Sequence, residues 1–205
     1  MRMKSIFDPS FQAGDVESKI VVALERLSQV FRINLWRENK KYHLSPIQIQ
    51  ILIFLNFQSH ERKTVTQLAQ EFNMTKATIS EAVRVLEKKQ YISRERHPED
   101  SRSFIFQLTN SGREATEKLS LFANDFRQHI LGIDDASKEI VLKSLLDLIY
   151  KLQNNNIISP QRMCYSCQYF ATSGDSETPF YCRLMEKNMT SSDLRIDCQE
   201  HQPVA

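Results

Sequence analysis

The four cysteines of the chain all lie in its last 42 residues. Cys164 and Cys167 form a Cys-x-x-Cys pair, Cys182 follows after fourteen residues, and Cys198 follows after fifteen more. A Cys-x-x-Cys turn brings two thiolates to one ion, and two further thiolates from a folded-back segment complete a tetrahedral site. The spacing therefore predicts that these four cysteines bind a metal ion.

The sequence leaves the identity of the metal open. Zinc ribbons usually pair two Cys-x-x-Cys knuckles and this chain has one, whereas an iron–sulfur cluster also takes four cysteines and tolerates irregular spacing. We expect zinc, with an iron–sulfur cluster as the alternative and a disulfide or free thiols after that. His201 has the spacing to replace one thiolate, but a solvent-exposed side chain near the chain end is the simpler interpretation.

Residues 157–205, called the tail below, are too few to fold around an apolar core alone. Segments of this size usually need a metal or a covalent link, and metal binding then supplies the folding free energy. Loss or oxidation of the site would alter the tail and, through its attachment, the rest of the protein. A metal or redox sensor is one hypothesis, and a permanent structural module is the other.

The segment from Leu44 to Leu119 reads in order as helix, short strand, helix, turn, helix, strand, charged loop and strand. Thr66 is predicted to cap a helix that ends near Asn73, and Thr75 to cap a second helix with a clear apolar stripe. Two short amphipathic helices joined by a tight turn form a helix-turn-helix unit. The second helix of such a unit enters the major groove of DNA through its N-terminal residues.

Small hydroxyls and cations face outward on this second helix, where they can reach base edges and phosphates. Two strand-forming runs, residues 91–96 and 103–108, flank a loop with turn-forming residues, which predicts a two-stranded wing. The alternative is an ordinary solvated helix face. The predicted DNA-binding residues are Thr75, Lys76, Thr78, Ser80, Arg84, Arg94, Arg96 and Arg102.

These residues resemble the MarR family of bacterial transcription regulators over roughly residues 15–153. The resemblance rests on Leu44-Ser-Pro-Ile-Gln48, Val65-Thr-Gln-Leu-Ala-Gln-Glu71, Thr75-Lys-Ala-Thr-Ile-Ser80, Val85-Leu-Glu-Lys-Lys89, Pro98-Glu-Asp-Ser-Arg102 and Leu108-Thr-Asn-Ser-Gly112. It implies that Arg102 reaches into the minor groove and that Asp100 shapes the wing. The chain departs from the family at Glu81, an acid on the recognition helix, and at Gln90, where relatives commonly have Gly.

Composition limits how such a protein would bind DNA. The net charge is only +2, so binding must come from placed cations rather than from bulk charge. The longest apolar run, Ile51–Leu55, is far below the roughly 18 residues that span a bilayer, and no apolar export segment opens the chain. We therefore expect a cytoplasmic protein without a membrane partner, in a reducing compartment where thiols stay free.

Apolar stripes flank the winged segment on both sides. Residues 17–36 form one, a helix beginning near Ser111 carries a second, and a helix capped by Asp134 or Asp135 is apolar over much of its circumference. A second copy of the chain is the simplest partner for so much apolar surface, although these helices could instead complete a monomer core or cover the tail. The family resemblance also implies a homodimer, with two recognition helices on an inverted repeat whose half-sites are roughly 10 base pairs apart.

The fold class expected is mainly α, a winged helix-turn-helix with a helical dimerisation region and a small C-terminal metal-binding module of four cysteines. The domains expected are an N-terminal arm and dimerisation helix (1–40), the DNA-binding domain (41–110), C-terminal dimerisation helices (111–156) and the Cys-rich tail (157–205). Family members commonly bind an effector between these regions, where His43, Trp36, Phe57 and Phe126 are candidates, although each is more often an ordinary core or boundary residue.

The function expected is sequence-specific transcriptional regulation, most simply repression, rather than catalysis. Two other classes stay open. A winged-helix adaptor would bind protein instead of DNA. A thiol-disulfide enzyme would use Cys164 and Cys167, but the strand and helix pattern that such motifs need does not surround them. A Ser-His-Asp order, a Gly-rich phosphate loop and paired catalytic carboxylates do not emerge either.

Overall fold

The computed structural model describes residues 5–58, 63–100 and 102–204, and within them the chain is mainly helical. The helices are α1 (Pro9–Gln12), α2 (Val16–Tyr42), α3 (Pro46–Phe57), α4 (Val65–Glu71), α5 (Lys76–Lys88), α6 (Asn110–Leu119), α7 (Asn124–Leu131) and α8 (Asp135–Asn154). The strands are β1 (Ile92–Arg96), β2 (Phe104–Leu108), β3 (Phe170–Thr172), β4 (Phe180–Cys182) and β5 (Lys187–Met189). None of the helices within the described residues is long and apolar enough to cross a lipid bilayer.

Helix α2 confirms the long N-terminal helix that the apolar pattern predicts. Asp15 caps it by accepting a hydrogen bond from the backbone N–H of Ser18 at 2.9 Å. The helix ends at His43, which adopts a left-handed conformation with φ 52°. Lys89, just after α5, donates to the freed carbonyl of His43 at 2.7 Å, so the end of α2 is held against the winged segment.

Helices α3 and α4 begin at capping boxes. The Gln48 side chain accepts a hydrogen bond from the backbone N–H of Ser45 at 2.8 Å, and the Gln67 side chain accepts one from Thr64 at 3.0 Å. Thr64 in turn accepts a bond from the backbone N–H of Gln67. The prediction that Thr66 caps α4 is therefore wrong. Gln67 sits three residues after Thr64 and closes the capping box there, so the helix begins two residues earlier.

Strands β1 and β2 form the wing that the sequence predicts. They pair antiparallel, with Arg94 opposite Phe106. The backbone N–H of Phe106 also donates to the carbonyl of Lys63 at 3.0 Å, which ties the wing to the segment before α4. The short strand expected between α3 and α4 falls largely on residues 59–62, outside the described residues.

The single helix expected from near Ser111 is divided in the structure. A 3₁₀ turn, Ser120–Ala123, separates α6 from α7. Phe122 in this turn and Phe126 in α7 both pack on Phe31 of α2, with ring centroids 6.5 Å and 5.1 Å apart. Packing against α2 therefore overrides the helical periodicity of this stretch.

The core of the winged segment lies where α3, α5, α6 and the wing meet. The apolar stripe predicted for α5 is buried, and its members are Ile79, Ala82, Val83 and Leu86. Burying a large aliphatic side chain contributes about 1.5–3 kcal/mol relative to exposing it. This face of α5 is consequently fixed inward, and the opposite face is left to solvent.

A second, smaller core joins the tail to α8, which begins after its Asp134 cap as predicted. Strands β3, β4 and β5 form an antiparallel sheet with β4 in the centre. Leu146 of α8 is buried with Met163, Phe180, Met189 and Leu194 of the tail. One face of α8 therefore covers the tail, which was one of the alternatives for its broad apolar surface.

The remaining apolar surface of the terminal helices is exposed. On α2 it comprises Ile20, Val21, Leu27, Phe31, Ile33 and Trp36, and around α7 and α8 it comprises Ile130, Leu131, Ile133, Ile140, Val141, Leu145 and Leu148. Monomers rarely leave large contiguous apolar patches in water. The tail thus covers only part of the apolar surface of α8.

Candidate nucleic-acid interface and cysteine cluster

Helix α5 presents its N-terminus to solvent. Thr75 caps it by accepting a hydrogen bond from the backbone N–H of Thr78 at 3.1 Å, and the two hydroxyls lie 2.9 Å apart. Lys76 and Ser80 are exposed at the same end of the helix. A helix N-terminus carries backbone donors and a partial positive charge, so this end suits an anionic phosphate backbone.

Arg84 lies one turn further along α5 and is paired with the family departure, Glu81. The guanidinium reaches both carboxylate oxygens, with Nη2 2.7 Å from Oε2 and 2.8 Å from Oε1. This hydrogen bonding from Arg84 lowers the pKa of Glu81, so the carboxylate is charged at neutral pH. The positive charge of Arg84 is therefore balanced by Glu81 in the free protein.

Arg94 and Arg96 lie on β1 of the wing, and both are exposed. The guanidinium of Arg94 lies over the ring of Phe104, 4.7 Å from its centroid, and 3.4 Å from a carboxylate oxygen of Glu87. A cleft of about 380 Å³ between α5 and the wing brings four predicted residues together, namely Ser80, Arg84, Arg94 and Arg102. The recognition helix and the wing thus bring three arginines to one cleft, each within 4 Å of a carboxylate.

Asp100 organises the loop at the tip of the wing. Its carboxylate accepts hydrogen bonds from the Ser103 hydroxyl at 2.8 Å and from the backbone N–H of Arg102 at 3.1 Å. These two bonds lower the pKa of Asp100. The side chain of Arg102 is 93% exposed, and its Nε lies 3.6 Å from this carboxylate. Asp100 therefore fixes the backbone that projects Arg102 away from the protein.

A tight junction after α5 sets the position of the wing. Gln90 takes the left-handed conformation, with φ 58°, and its carbonyl accepts bonds from the hydroxyls of Thr109 at 2.6 Å and Ser111 at 2.9 Å. A Cβ on Gly112 would lie 1.9 Å from the carbonyl oxygen of Tyr91. The Thr-Asn-Ser-Gly motif thus packs the start of α6 against the start of β1.

The four cysteines line one cavity in the tail, of about 30 Å³. Cys164 and Cys167 flank a 3₁₀ turn, Cys182 ends β4, and Cys198 lies near the C-terminus. All four are unbridged. The topology therefore brings all four to one cavity, and the name cysteine cluster is used for these four residues below.

Arg195 provides two donors to the cysteine cluster. Its backbone N–H donates to Sγ of Cys164 at 3.2 Å, and its guanidinium lies 3.9 Å from Sγ of Cys198. Burial raises the pKa of the Cys164 thiol, and the three other cysteines add to that shift. Within residues 5–58, 63–100 and 102–204, however, the side chains of His, Cys, Asp and Glu do not form a group of three or more arranged to hold a metal ion.

His201 differs from its predicted environment. It is 8% exposed rather than solvent-exposed, and its Nε2 lies 3.0 Å from the hydroxyl of Ser166. Ser166 belongs to the turn between Cys164 and Cys167. His201 therefore packs behind that turn, a role that its position near the chain end did not suggest.

Arg162 is the residue that sequence reasoning missed. Its side chain is 6% exposed and forms an ion pair with Glu71, the last residue of α4. The same guanidinium donates to Asp197 at 2.9 Å and lies 5.5 Å from the ring centroid of Phe54. Arg162 and Glu71 are 91 positions apart in the chain, so local pattern carries no signal for the pair. We call Arg162, Glu71 and Asp197 the Arg162 bridge.

The four candidate effector residues lie in different surroundings. Trp36 is 56% exposed, Phe126 packs on Phe31, and His43 is the exposed C-cap of α2. Phe57 lines a cleft that also contains Arg162. Its carbonyl accepts a hydrogen bond from the Gln199 side chain at 3.1 Å, so the tail also contacts the end of α3.

Comparison with known proteins gives consistent matches. A family model described as MarR family matches residues 43–103. The HTH-type transcriptional repressor YetL of Bacillus subtilis (strain 168) is 31% identical over 110 residues, which is 53% of this chain and 66% of YetL. The organic hydroperoxide resistance transcriptional regulator of the same organism is 32% identical over 103 residues, which is 50% of this chain and 67% of that protein. The chain spans between about half and two thirds of the length of the curated relatives it matches.

Solved structures share the fold. S. aureus MepR in DNA-binding conformation superposes with a TM-score of 0.58 at 20% identity, covering 65% of this chain and 98% of that one. The transcriptional regulator PA3341 gives a TM-score of 0.57 at 24% identity, covering 66% of this chain and 98% of that one. About a third of this chain thus lies outside each match. The architecture, the family model and the identity to named transcriptional regulators agree, and the chain belongs to the MarR family.

Proposed function

We propose that the chain is a transcriptional regulator that binds double-stranded DNA sequence-specifically, most simply as a repressor. The observation that carries the proposal is the shared exposed surface of α5 and the wing, where Ser80, Arg84 and Arg102 meet in one cleft. In this arrangement α5 enters the major groove and Arg102 follows the adjacent minor groove. The relative YetL, named as a repressor, supports this proposal.

A homodimer is the proposed binding form. The exposed apolar side chains of α2, α7 and α8 support it, because they form a surface that water disfavours. Two copies would place two recognition helices on half-sites of an inverted repeat, roughly 10 base pairs apart. A small-molecule effector that changes the separation of these helices would change DNA affinity.

A zinc ion on Cys164, Cys167, Cys182 and Cys198 is proposed as part of the same protein, with an iron–sulfur cluster as the alternative. The shared cavity of the four unbridged cysteines supports this assignment. We propose the cytoplasm as its location, because a reducing compartment keeps such thiols available for metal.

Selection of bound sequences from a random DNA pool tests the function. We expect an inverted repeat, and we expect Arg102→Ala to lose about 1–2 kcal/mol of binding free energy for it. Lys118→Ala is the matched control, since Lys118 is exposed near the end of α6, outside α5 and the wing. If no sequence is enriched above the starting pool, or if the two variants bind DNA with equal affinity, the result would favour a protein-binding adaptor instead.

A further inference from the structure

The cysteine cluster is physically connected to the helix-turn-helix. The backbone N–H of Cys198 donates to the carbonyl of Arg162 at 2.9 Å. Asp197, the neighbour of Cys198, accepts a hydrogen bond from the Arg162 guanidinium at 2.9 Å. The other side of that guanidinium holds Glu71 of α4. One backbone hydrogen bond and one side chain, that of Arg162, thus separate Cys198 from the DNA-binding unit.

Glu71 lies at the point where the helix-turn-helix changes direction. It is the last residue of α4, and Asn73 follows in the left-handed conformation, with φ 50°. The backbone N–H of Met74 donates back to the carbonyl of Ala69 at 2.9 Å, and Thr75 then caps α5. A group that holds Glu71 therefore holds the turn that orients the recognition helix.

The side chain of Arg162 is buried where it pairs with Glu71. Its guanidinium is almost inaccessible to solvent, and its Nε has no hydrogen-bond partner within the described part of the chain. Breaking a buried ion pair leaves an uncompensated charge, at a cost far above that of a surface pair. The Arg162–Glu71 pair therefore needs the backbone near Cys198, which bonds to Arg162, in place. Asp197 is 61% exposed and adds a second carboxylate that solvent partly screens.

Hydrogen bonds, more than an apolar core, hold that backbone in place. Its buried apolar side chains are few, namely Met163, Phe180, Met189 and Leu194. The ties at its last residues include the Cys198–Arg162 bond, the pairing of Cys167 with Pro203 and the contact of His201 with Ser166. All three ties join residues 198–203, which include Cys198, to residues 162–167, which include Cys164 and Cys167. A metal ion joining these cysteines would fasten the whole C-terminal segment.

The donor set suits a single zinc ion. All four cysteines line one cavity, and four thiolates can surround zinc tetrahedrally at about 2.3 Å. The N–H groups of Arg195 that face two of the sulfurs would stabilise the charge of the thiolates.

We propose that zinc bound by the cysteine cluster raises DNA affinity by fixing the Arg162 bridge, so that the tail is a metal-dependent regulatory element of the helix-turn-helix. The inference rests on the proposed DNA-binding function. Zinc binding releases the thiol protons and orders the segment around Cys198. Asp197 and Arg162 then hold Glu71, and α5 loses less freedom when it enters the groove.

Metal content of the intact protein tests the site itself. We expect one zinc per chain in freshly purified, colourless protein, and loss of that zinc in Cys182→Ser. Cobalt loaded in place of zinc should give the visible absorption of a tetrahedral thiolate site in the wild type. Protein that takes up neither metal, or brown protein that contains iron, would overturn the zinc assignment.

Coupling is tested by DNA affinity with zinc loaded and with zinc removed by a chelator. We expect removal to weaken binding about fivefold in the wild type and to have no effect in Glu71→Gln. Because coupling is reciprocal, saturating DNA should tighten zinc binding by the same factor. Glu117→Gln on α6 is the matched control and should keep the full response. Equal wild-type affinities with and without zinc would overturn the coupling.

Hydrogen exchange separates failure of the coupling from failure of the DNA-binding proposal. Zinc removal should speed amide exchange at residues 69–74 in the wild type. Asp197→Asn, which keeps all cysteines and leaves α4 unchanged, should show fast exchange there even with zinc. A wild type that shows these exchange differences but binds no DNA would refute the proposed function and keep the bridge. Unchanged exchange on zinc removal would refute the bridge.

Discussion

The carboxylate of Glu81 lies 2.7 Å from the guanidinium of Arg84 on the exposed face of the recognition helix. Exposed ion pairs of this kind contribute little to folding, because solvent screens them. In the proposed DNA complex the pair has a further role, because Arg84 would exchange the carboxylate for a phosphate when α5 enters the groove. Glu81, where the chain departs from the family pattern, thus reduces the positive charge of this helix face without changing the fold.

Replacing Glu81 with Gln should strengthen DNA binding. Arg84 is then free to meet a phosphate, and the dependence of log affinity on log salt should steepen by about 0.9 for each added contact. Fluorescence anisotropy across a salt series measures both quantities. Lys76→Ala should shift them in the opposite direction, and a Glu81→Gln variant with unchanged slope would show that Arg84 does not contact the backbone of the duplex.

Replacing Gly112 with Ala should destabilise the winged segment. The new Cβ would lie 1.9 Å from the carbonyl oxygen of Tyr91, so the start of β1 must move. We expect a loss of about 1–3 kcal/mol in the free energy of unfolding, measured by denaturant titration. Gly132→Ala is the control, because its Cβ would approach only the carbonyl of His129, at 3.7 Å. Equal stabilities of the two variants would contradict the assigned close packing.

Replacing Gln90 with Gly should stabilise the protein. Gln90 occupies the left-handed region, which costs an L-residue roughly 1–2 kcal/mol, and the added chain flexibility of Gly offsets part of that gain. A net increase of about 0.5–1 kcal/mol in the free energy of unfolding is expected. Asn73→Gly, at another left-handed position, should gain less because Asn tolerates this conformation. A Gln90→Gly variant that is less stable than the wild type would refute the claim that Gln90 is strained.

Acid should loosen the tail through Asp193. Its hydrogen bonds from Lys187 and from the backbone of Thr190 lower its pKa from 3.8 to about 2. A carboxyl with a lower pKa in the folded state stabilises that state above pH 3.8, and this stabilisation is lost as the pH falls towards 2. The protection of the β5 amides, taken relative to their intrinsic exchange rates at each pH, should therefore fall over that interval in the wild type. Asp193→Asn should lose less protection there, whereas Asp125→Asn on α7 should behave like the wild type.

The sequence predicts those features whose causes are local. The apolar stripe of α5 and the cap at Thr75 are set within one or two helical turns, and both are found in the structure. The wing follows from two strand-forming runs with a turn between them. The start of α4 was misplaced because two threonines, Thr64 and Thr66, compete for one cap, and only the first has Gln67 three residues later.

Features decided by distant contacts could not be read from the sequence. The division between α6 and α7 depends on Phe31 of α2. The Arg162 bridge joins residues 91 positions apart, and His201 is buried by the turn at Ser166. The gathering of the cysteines was predictable from their spacing, whereas the contact of their module with α4 was not.

Hydroxyl-radical footprinting of the intact protein on its selected DNA tests the central claim most directly. A dimer with α5 in the major groove and Arg102 along the minor groove should protect two half-sites on one face of the duplex, roughly 10 base pairs apart. The Arg102→Ala variant should lose protection at the minor groove beside each half-site and keep it elsewhere. Protection of a single half-site, or uniform weak protection that ignores sequence, would contradict the account.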